Sequence, residues 1–372
     1  MTRREWLAMI AATPLLKADA PPAPAAPVSI AKCASYQEDI AAKLGAMFSQ
    51  LGGLEGLVRN KTVSIKLNMT GGPRNRFNGL APGVSHMTHP KVAAATAYLL
   101  GRAGAKRIRF VESAGGPTTL EEAMQAADWD VKALQSAASG VEFENTNFLG
   151  SYKTYARFKA PAPYMYPEYV LNRAYDETDV FVSIGKLKNH FDCGVTLSIK
   201  NCFGITPMSI YGGDAGVDEP NERASASRAA VVHAGRRQPS KIAPPELHPG
   251  VSNQAGYRVS RVVADLAVVR PIHLAIIDGV ESMAGGEGPW IRGELRSVKP
   301  GVLIAGMNPV CTDTVATAVM GYHPRATRGT APFQNADNTM MLAEAVGVGS
   351  TDLKRIEVRG VPIEQALYRY DV

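Results

Sequence analysis

Two periods alternate along this chain. Short runs of period two, or of unbroken apolar residues, end in glycine-rich or polar turns. Stretches with apolar residues three and four apart then follow. Tyr36–Leu51 sets Ile40, Leu44, Met47 and Leu51 on one helical face. Thr62–Met69 alternates as a strand and runs into the loop Thr70–Gly83. His89-Pro90 opens a helix through Gly101, with proline at the first turn, where its missing N–H is harmless. Ala105–Glu112 is the next predicted strand, closed by Ser113-Ala114-Gly115-Gly116. A helix over Thr118–Ala127 and a short strand over Gly140–Asn145 come after it.

Farther on, Tyr152–Tyr166 is aromatic and broken by prolines, the pattern of an antiparallel hairpin or a lid. Pro167–Ala174 reads as a helix and Asp179–Ile184 as a buried central strand. Residues 211–257 are rich in Gly, Ser, Ala, Pro and charge, an irregular insertion too long for a plain connection and therefore functional, mobile or both. The alternation resumes with a helix over Val259–Val269 and strands over His273–Asp278 and Val302–Met307. Helices over Pro309–Met320 and Gln334–Val346 and a strand over Leu353–Val358 complete it. The pattern predicts an α/β fold, a mainly parallel doubly wound sheet with a second, smaller α/β lobe. The N-terminal lobe is expected over 36–210 and the second over 258–372.

Composition agrees with an enzyme-like globular chain. Of 372 residues 45% are hydrophobic and 20% charged, which excludes disordered and fibrous classes. The net charge of +6 is scattered, with no long Lys/Arg run and no helix-turn-helix, zinc-finger or RNP pattern. Nucleic acid is not an expected partner; a solvated basic face or a site for a small anionic molecule is. Cys33, Cys193, Cys202 and Cys311 form no C-x-x-C pair, so no iron–sulfur or zinc-ribbon motif is written here. Cys193 and Cys202 read as small buried residues, with a disulfide as the alternative in an oxidising compartment.

The N-terminus changes the picture of where the protein works. Thr2-Arg3-Arg4-Glu5-Trp6-Leu7 has the form of a twin-arginine signal. Leu7–Leu16 is a short apolar segment, and Ala18-Asp19-Ala20 fits a small-x-small cleavage site. Residues 1–30 are therefore set aside as signal peptide and Pro/Ala leader. The twin-arginine export machinery becomes a partner and the periplasm, or another exported location, the expected compartment. No later segment is long and apolar enough for a stable membrane span in the mature protein.

Candidate chemistry concentrates in Val180–Pro207. An apolar strand ends at Gly185 and is followed at once by Lys186, Lys188 and His190, then by Lys200-Asn201 on a short predicted helix. Ligands of open parallel sheets bind at such carboxyl strand ends. Like charges this close repel unless an anion, a carboxylate or a depressed pKa relieves them. A lysine so depressed serves as a base or nucleophile, and a histidine moves protons near neutral pH. Lys186, Lys188, His190 and Lys200 are thus the candidate catalytic set. Lys66 and Asn68 share one face of their strand and, with His89, Asn201, Gly286 and Gly288, are candidate ligand-binding residues. The plainer readings are an edge-strand lysine, a capping histidine and simple turns. Asp278, Glu281 and Asp313 are candidate counter-charges or ligands for a metal ion.

The run I-K-L-N, T-H-P-K-V, V-F-V-S-I-G-K-L-K-N-H and L-S-I-K-N-C-F-G-I resembles the domain of unknown function 362 family. So does I-I-D-G-V-E-S-M-A-G-G-E-G-P-W with the following G-V-L-I-A-G-M-N-P-V-C-T-D-T-V-A-T-A-V-M-G. The resemblance runs in order from about Thr62 to the C-terminus. It implies an exported protein of unestablished biochemistry; many members carry a ferredoxin-like module whose cysteines this chain lacks. I-G-K-L-K-N-H followed by K-N-x-F-G is also distantly similar to the nickel-pincer lactate racemase family, where Lys and His handle protons and bind the cofactor. That similarity implies such roles for Lys186, Lys188, His190 and Lys200; the racemases' D-x-T-R-P stretch has no counterpart here. Three readings follow: an exported enzyme doing isomerase- or epimerase-like proton transfer on a small anion, a periplasmic binding protein for an anion, metal or anionic cofactor, or an electron-transfer accessory protein.

Overall fold

The computed structural model describes residues 22–115 and 118–371. The twin-arginine motif, the cleavage site and Gly116 lie outside the described residues. Eight strands form one sheet: β1 (Val28–Lys32), β2 (Thr62–Lys66), β3 (Arg107–Glu112), β4 (Val141–Asn145), β5 (Val180–Lys186), β6 (Leu274–Gly279), β7 (Val302–Gly306) and β8 (Val358–Gly360). Their order across the sheet is β8-β1-β7-β6-β5-β2-β3-β4, and only β7 runs against the rest. The fold is α/β.

Strand alternation explains the layering. Val180, Val182 and Ile184 of β5 share one core with helices α1 (Ile40–Gln50) and α2 (Pro90–Arg102). Phe181 faces the opposite core, with α4 (Ala255–Val269) and α5 (Pro309–Val319). Every residue of β5 is buried, as a continuous apolar run demands when helices cover both faces. Among the described residues no helix is long and apolar enough to cross a membrane.

Several expectations are corrected. Val28–Ile30, set aside with the leader, are buried in β1 between β7 and β8. Pro167–Ala174 is not helical: Glu168–Asn172 is a strand paired antiparallel with Tyr155–Lys159. Its alternation of Tyr169, Val170 and Leu171 suits an extended segment covered on both sides. The last strand lies a few residues beyond its predicted place. Strands from both halves of the chain share one sheet, Ile276 of β6 lying opposite Ile184 of β5. All four cysteines are free and buried.

The chain leaves β2 for β3 and β4 on one side, then returns to place β5 and β6 on the other. The carboxyl ends of β2 and β5 therefore flank a topological switch point, where open sheets leave a crevice. A short helix, α3 (Leu197–Asn201), presses on β5 there. Its approach depends on Gly185, where a Cβ would meet the Leu197 carbonyl oxygen at 2.2 Å. Leu197 itself has φ +46°, a conformation costly for a non-glycine residue. Asp313 of α5 holds this strained turn by accepting from the Ser198 and Ile199 amides, each at 2.9 Å, and from the Ser198 hydroxyl at 2.6 Å.

Gly185→Ala should therefore lower stability by about 1–3 kcal/mol, the usual cost of overpacking. Urea titration checks this: the midpoint should fall with unchanged slope, and an unmoved midpoint would disprove the tight contact.

Candidate functional site

The strand ends decide what each basic side chain touches. Lys66, on the last residue of β2, is 1% exposed and ion-pairs with Glu112 at the end of β3, Nζ to Oε1 2.5 Å. Its other bonds go to the Leu67 carbonyl at 2.7 Å and Asn201 Oδ1 at 3.4 Å. Glu112 also accepts from the Met69 amide at 2.7 Å and the Ser113 amide at 2.8 Å. Burial of this ammonium is thus fully matched, which removes the edge-strand reading. Asn201 on α3 donates to Ser183 Oγ at 3.0 Å and accepts from Asn68 Nδ2 at 3.1 Å, bridging β5 to the loop after β2.

Lys186 points away from this crevice. It is fully buried and bonds Asp278 Oδ2 at 2.9 Å, Tyr36 OH at 2.9 Å and the Gly83 carbonyl at 2.7 Å. Burial lowers its pKa, against the pull of Asp278. The other oxygen of Asp278 accepts from Tyr36 OH at 2.7 Å, and the Tyr36 ring stacks on His89 at 3.6 Å between centroids. His89 Nδ1 accepts from the Lys91 amide at 3.2 Å, capping α2. Lys188 is also fully buried, and among the described residues its ammonium bonds only the carbonyls of His86 at 2.5 Å and Glu287 at 2.7 Å. Burial, with Lys200 and Lys186 nearby, holds its pKa well below the ordinary lysine value. Lys188 thereby ties the loop before α2 to the Gly285–Gly288 loop.

At the switch point lies a cavity of about 360 Å³. Lys66, Asn68, Glu112, His190, Lys200 and Asn201 line it, with Phe203, Arg228, His233, Glu287 and Trp290. Lys200 is half-buried and, among the described residues, forms no salt bridge; its ammonium lies 4.6 Å from the centre of the Phe203 ring. Arg228 lies over the same ring at 5.7 Å. Its Nε and one terminal nitrogen are held by the Thr206 carbonyl at 2.7 Å and Asn147 Oδ1 at 3.0 Å, and it too has no carboxylate partner among the described residues. Burial lowers the pKa of Lys200 against the opposing pull of Cys193, Glu287 and Asp192, and Arg228 adds a smaller push the same way as burial.

His190 is 8% exposed. Its Nδ1 accepts from the Asp192 amide at 3.1 Å, which assigns the proton of the neutral ring to Nε2. Burial, Lys200 and Lys188 drive its pKa well below the usual range and outweigh the Glu287 carboxylate 3.7 Å from Nδ1. His190 also lines a second, more open cavity of about 600 Å³ beside Tyr322 and Arg296.

The candidate residues thus separate. Lys66, Asn68, His190, Lys200 and Asn201 meet in one hollow. Lys186, Lys188 and His89 are internal ties. Gly286 and Gly288 do not line the cavity: a Cβ at Gly288 would fall 2.0 Å from the Trp290 ring and one at Gly286 3.0 Å from Ile291, so these glycines serve close packing. Asp278, Glu281 and Asp313 do not form a metal set. Asp278 pairs with Lys186, Glu281 with Lys299 at 3.1 Å, and Asp313 caps α3. Among the described residues no group of three or more His, Cys, Asp or Glu side chains could hold a metal ion. Arg228, His233, Phe203 and Trp290 escaped the sequence reading. The first two lie in the irregular insertion, whose length was their only signal.

A family model described as "Domain of unknown function (DUF362)" matches residues 63–318. A thylakoid-associated protein of Synechocystis sp. is 26% identical over 192 residues, 48% of this chain and 50% of that protein. The chain thus spans about half the length of that relative. A Thermotoga maritima protein of known crystal structure is 14% identical, with a TM-score of 0.34 over 71% of this chain and 55% of that one. That likeness is too loose to bear on fold or function.

Burial depresses His86 to about 3 and His89 to about 4, whereas unfolded histidines bind protons below about 6.5. The unfolded state then holds more protons than the native state, so these two groups make stability fall as pH drops from 6.5 toward 4. His89→Asn keeps a capping acceptor and removes one such group. Its melting temperature should fall less steeply than that of the wild type across this window. An unchanged slope would mean that native His89 is protonated.

Proposed function

The chain belongs to the domain of unknown function 362 family, and from that premise and the geometry above we propose an enzyme that moves a proton on a small carboxylate. The supporting observation is the pair of cations, Lys200 and Arg228, sharing the Phe203 ring on the cavity wall without a carboxylate partner among the described residues. Two such charges in a partly desolvated hollow favour an anion that offsets them.

The residues divide the work by their chemistry. Arg228 holds the carboxylate with the guanidinium edge left over from Thr206 and Asn147. Lys200 helps draw the anion in as an ammonium and, once it has lost its proton, which burial makes easier, is the base that takes a proton from the carbon beside the carboxylate. Neutral His190 offers its Nε2–H to the oxygen on which negative charge develops, a role an imidazolium would fill with less matched acidity. Return of the proton by the Lys200 ammonium to the face it left gives exchange with solvent, and protonation of the opposite face by water entering the open cavity gives the isomerase- or epimerase-like outcome. The Thr2–Leu7 pattern supports export of the folded protein to the periplasm. Fractionation should find the wild type there and an Arg3→Lys, Arg4→Lys variant in the cytoplasm; equal distribution would count against a twin-arginine route.

Incubation in deuterium oxide with a panel of small mono- and dicarboxylates, followed by proton NMR, tests the chemistry. The wild type should wash deuterium into one C–H position. Lys200→Met should slow exchange by about 10²-fold or more while ligand still binds. Arg228→Met should chiefly raise KM. The wild-type rate should rise with pH as the ammonium deprotonates and level off below the ordinary lysine value. Binding without exchange by any member of the panel would leave a carrier, not an enzyme.

A further inference from the structure

The cavity holds a further titratable side chain whose surroundings suit proton transfer. His233 lines it, half-buried, at the end of a π-turn (Ala229–His233) in the irregular insertion. The His233 amide donates to the Arg228 carbonyl at 3.3 Å and the Ala234 amide to the Ala229 carbonyl at 2.9 Å. This wide step brings residues five apart to one side, so Arg228 and His233 both reach the hollow. Such turns are rare and concentrate at functional sites.

The turn is held from behind. Arg258 of α4, 2% exposed, donates to the carbonyls of Val232 at 2.9 Å and Val231 at 3.2 Å and ion-pairs with Glu246. The chain leaves through Gly235, at φ +59°, where a Cβ would fall 2.5 Å from the Arg258 guanidinium. The imidazole is oriented as well. Asp192 Oδ2 lies 3.3 Å from its Nδ1, and the Phe203 ring crosses it at 71° with centroids 5.3 Å apart. A carboxylate at one ring nitrogen leaves the other, Nε2, to exchange a proton, the arrangement in which histidine serves as acid or base. Lys200 reaches the same Phe203 ring from α3, which sits on the sheet, whereas His233 reaches it from the insertion. Two proton carriers thus enter one hollow on different elements.

We propose that His233, oriented by Asp192, is the acid that serves the face of the carbon opposite Lys200, giving its proton directly or through one water of the open cavity. Neutral Lys200 takes the proton as the C–H bond breaks and becomes an ammonium, and the electron pair stays on the substrate. The His233 imidazolium then gives its Nε2 proton to the opposite face and becomes neutral. Solvent removes one proton from Lys200 and restores one to His233, so no co-reactant is consumed. In reverse, neutral His233 takes the proton and the Lys200 ammonium returns it. This rests on the Lys200 reading above, and the test separates the two.

The test follows both enantiomers of malate, aspartate, alanine and 2-methylbutanoate in deuterium oxide, with wash-in read by proton NMR and inversion by chiral chromatography. In the wild type both enantiomers of at least one acid should take up deuterium and interconvert. His233→Gln should slow inversion about 10²-fold and slow wash-in for one enantiomer, and Lys200→Met should slow wash-in for the other. Asp192→Asn should shift this asymmetry in the same direction as His233→Gln. A merely structural role would slow both enantiomers alike. If the wild type exchanges without inversion, or if His233→Gln inverts at the wild-type rate or slows both enantiomers alike, His233 is not the second acid, and the Lys200 base stands. If no acid exchanges in the wild type, the Lys200 reading falls and takes this one with it. Should His233→Gln fail to fold, Asp192→Asn decides by the same asymmetry.

Discussion

A single buried amide, Asn201, ties α3 to the ends of the two paired strands that flank the crevice. It bonds the backbone of β2 and β5, the side chains of Lys66 and Asn68, and Ser183. Without it Lys66 would lose its third acceptor, Asn68 its orientation, and α3 one of its ties to β5. Because α3 also carries Lys200, the cation facing the cavity is positioned by the same contact. Asp313 completes the arrangement from α5 by holding the strained turn at Leu197.

Burying charge is expensive, and this chain meets the problem in distinct ways within a few residues. Lys66 and Lys186 each take a carboxylate. Lys188 takes two carbonyls and a lowered pKa. Lys200 takes an aromatic face, the weakest of these partners and the one most readily improved by a ligand. The two ion pairs act as fixed internal ties, since removing one partner would strand a buried charge. The side chains left with incomplete partners around the cavity are Lys200 and Arg228.

Much of the fold was legible because burial repeats locally. The period-two run ending at Lys66 and the apolar run ending at Gly185 announce strands, and Pro90 announces a helix start. The misreading at Pro167–Ala174 has a plain cause: a short segment with prolines nearby offers no periodicity to arbitrate, and pairing with Tyr155–Lys159 settles it as a strand. Val28–Ile30 was lost to the leader because three apolar residues after a Pro/Ala stretch carry no signal. Their sheet partners lie more than two hundred residues away.

The sequence by itself determined that basic residues gather at the carboxyl end of a central strand, since residues on one strand and its following turn are neighbours by covalent geometry. Tertiary structure alone decided which of them lines the cavity. Lys186 and Lys188 lie two residues apart, yet one is drawn to Asp278 and the other to the loop at Glu287. Arg228 reaches the cavity from an insertion with no pattern of its own. The fate of a charged side chain rests on what packs around it, and those neighbours come from distant parts of the chain that only the folded sheet brings together.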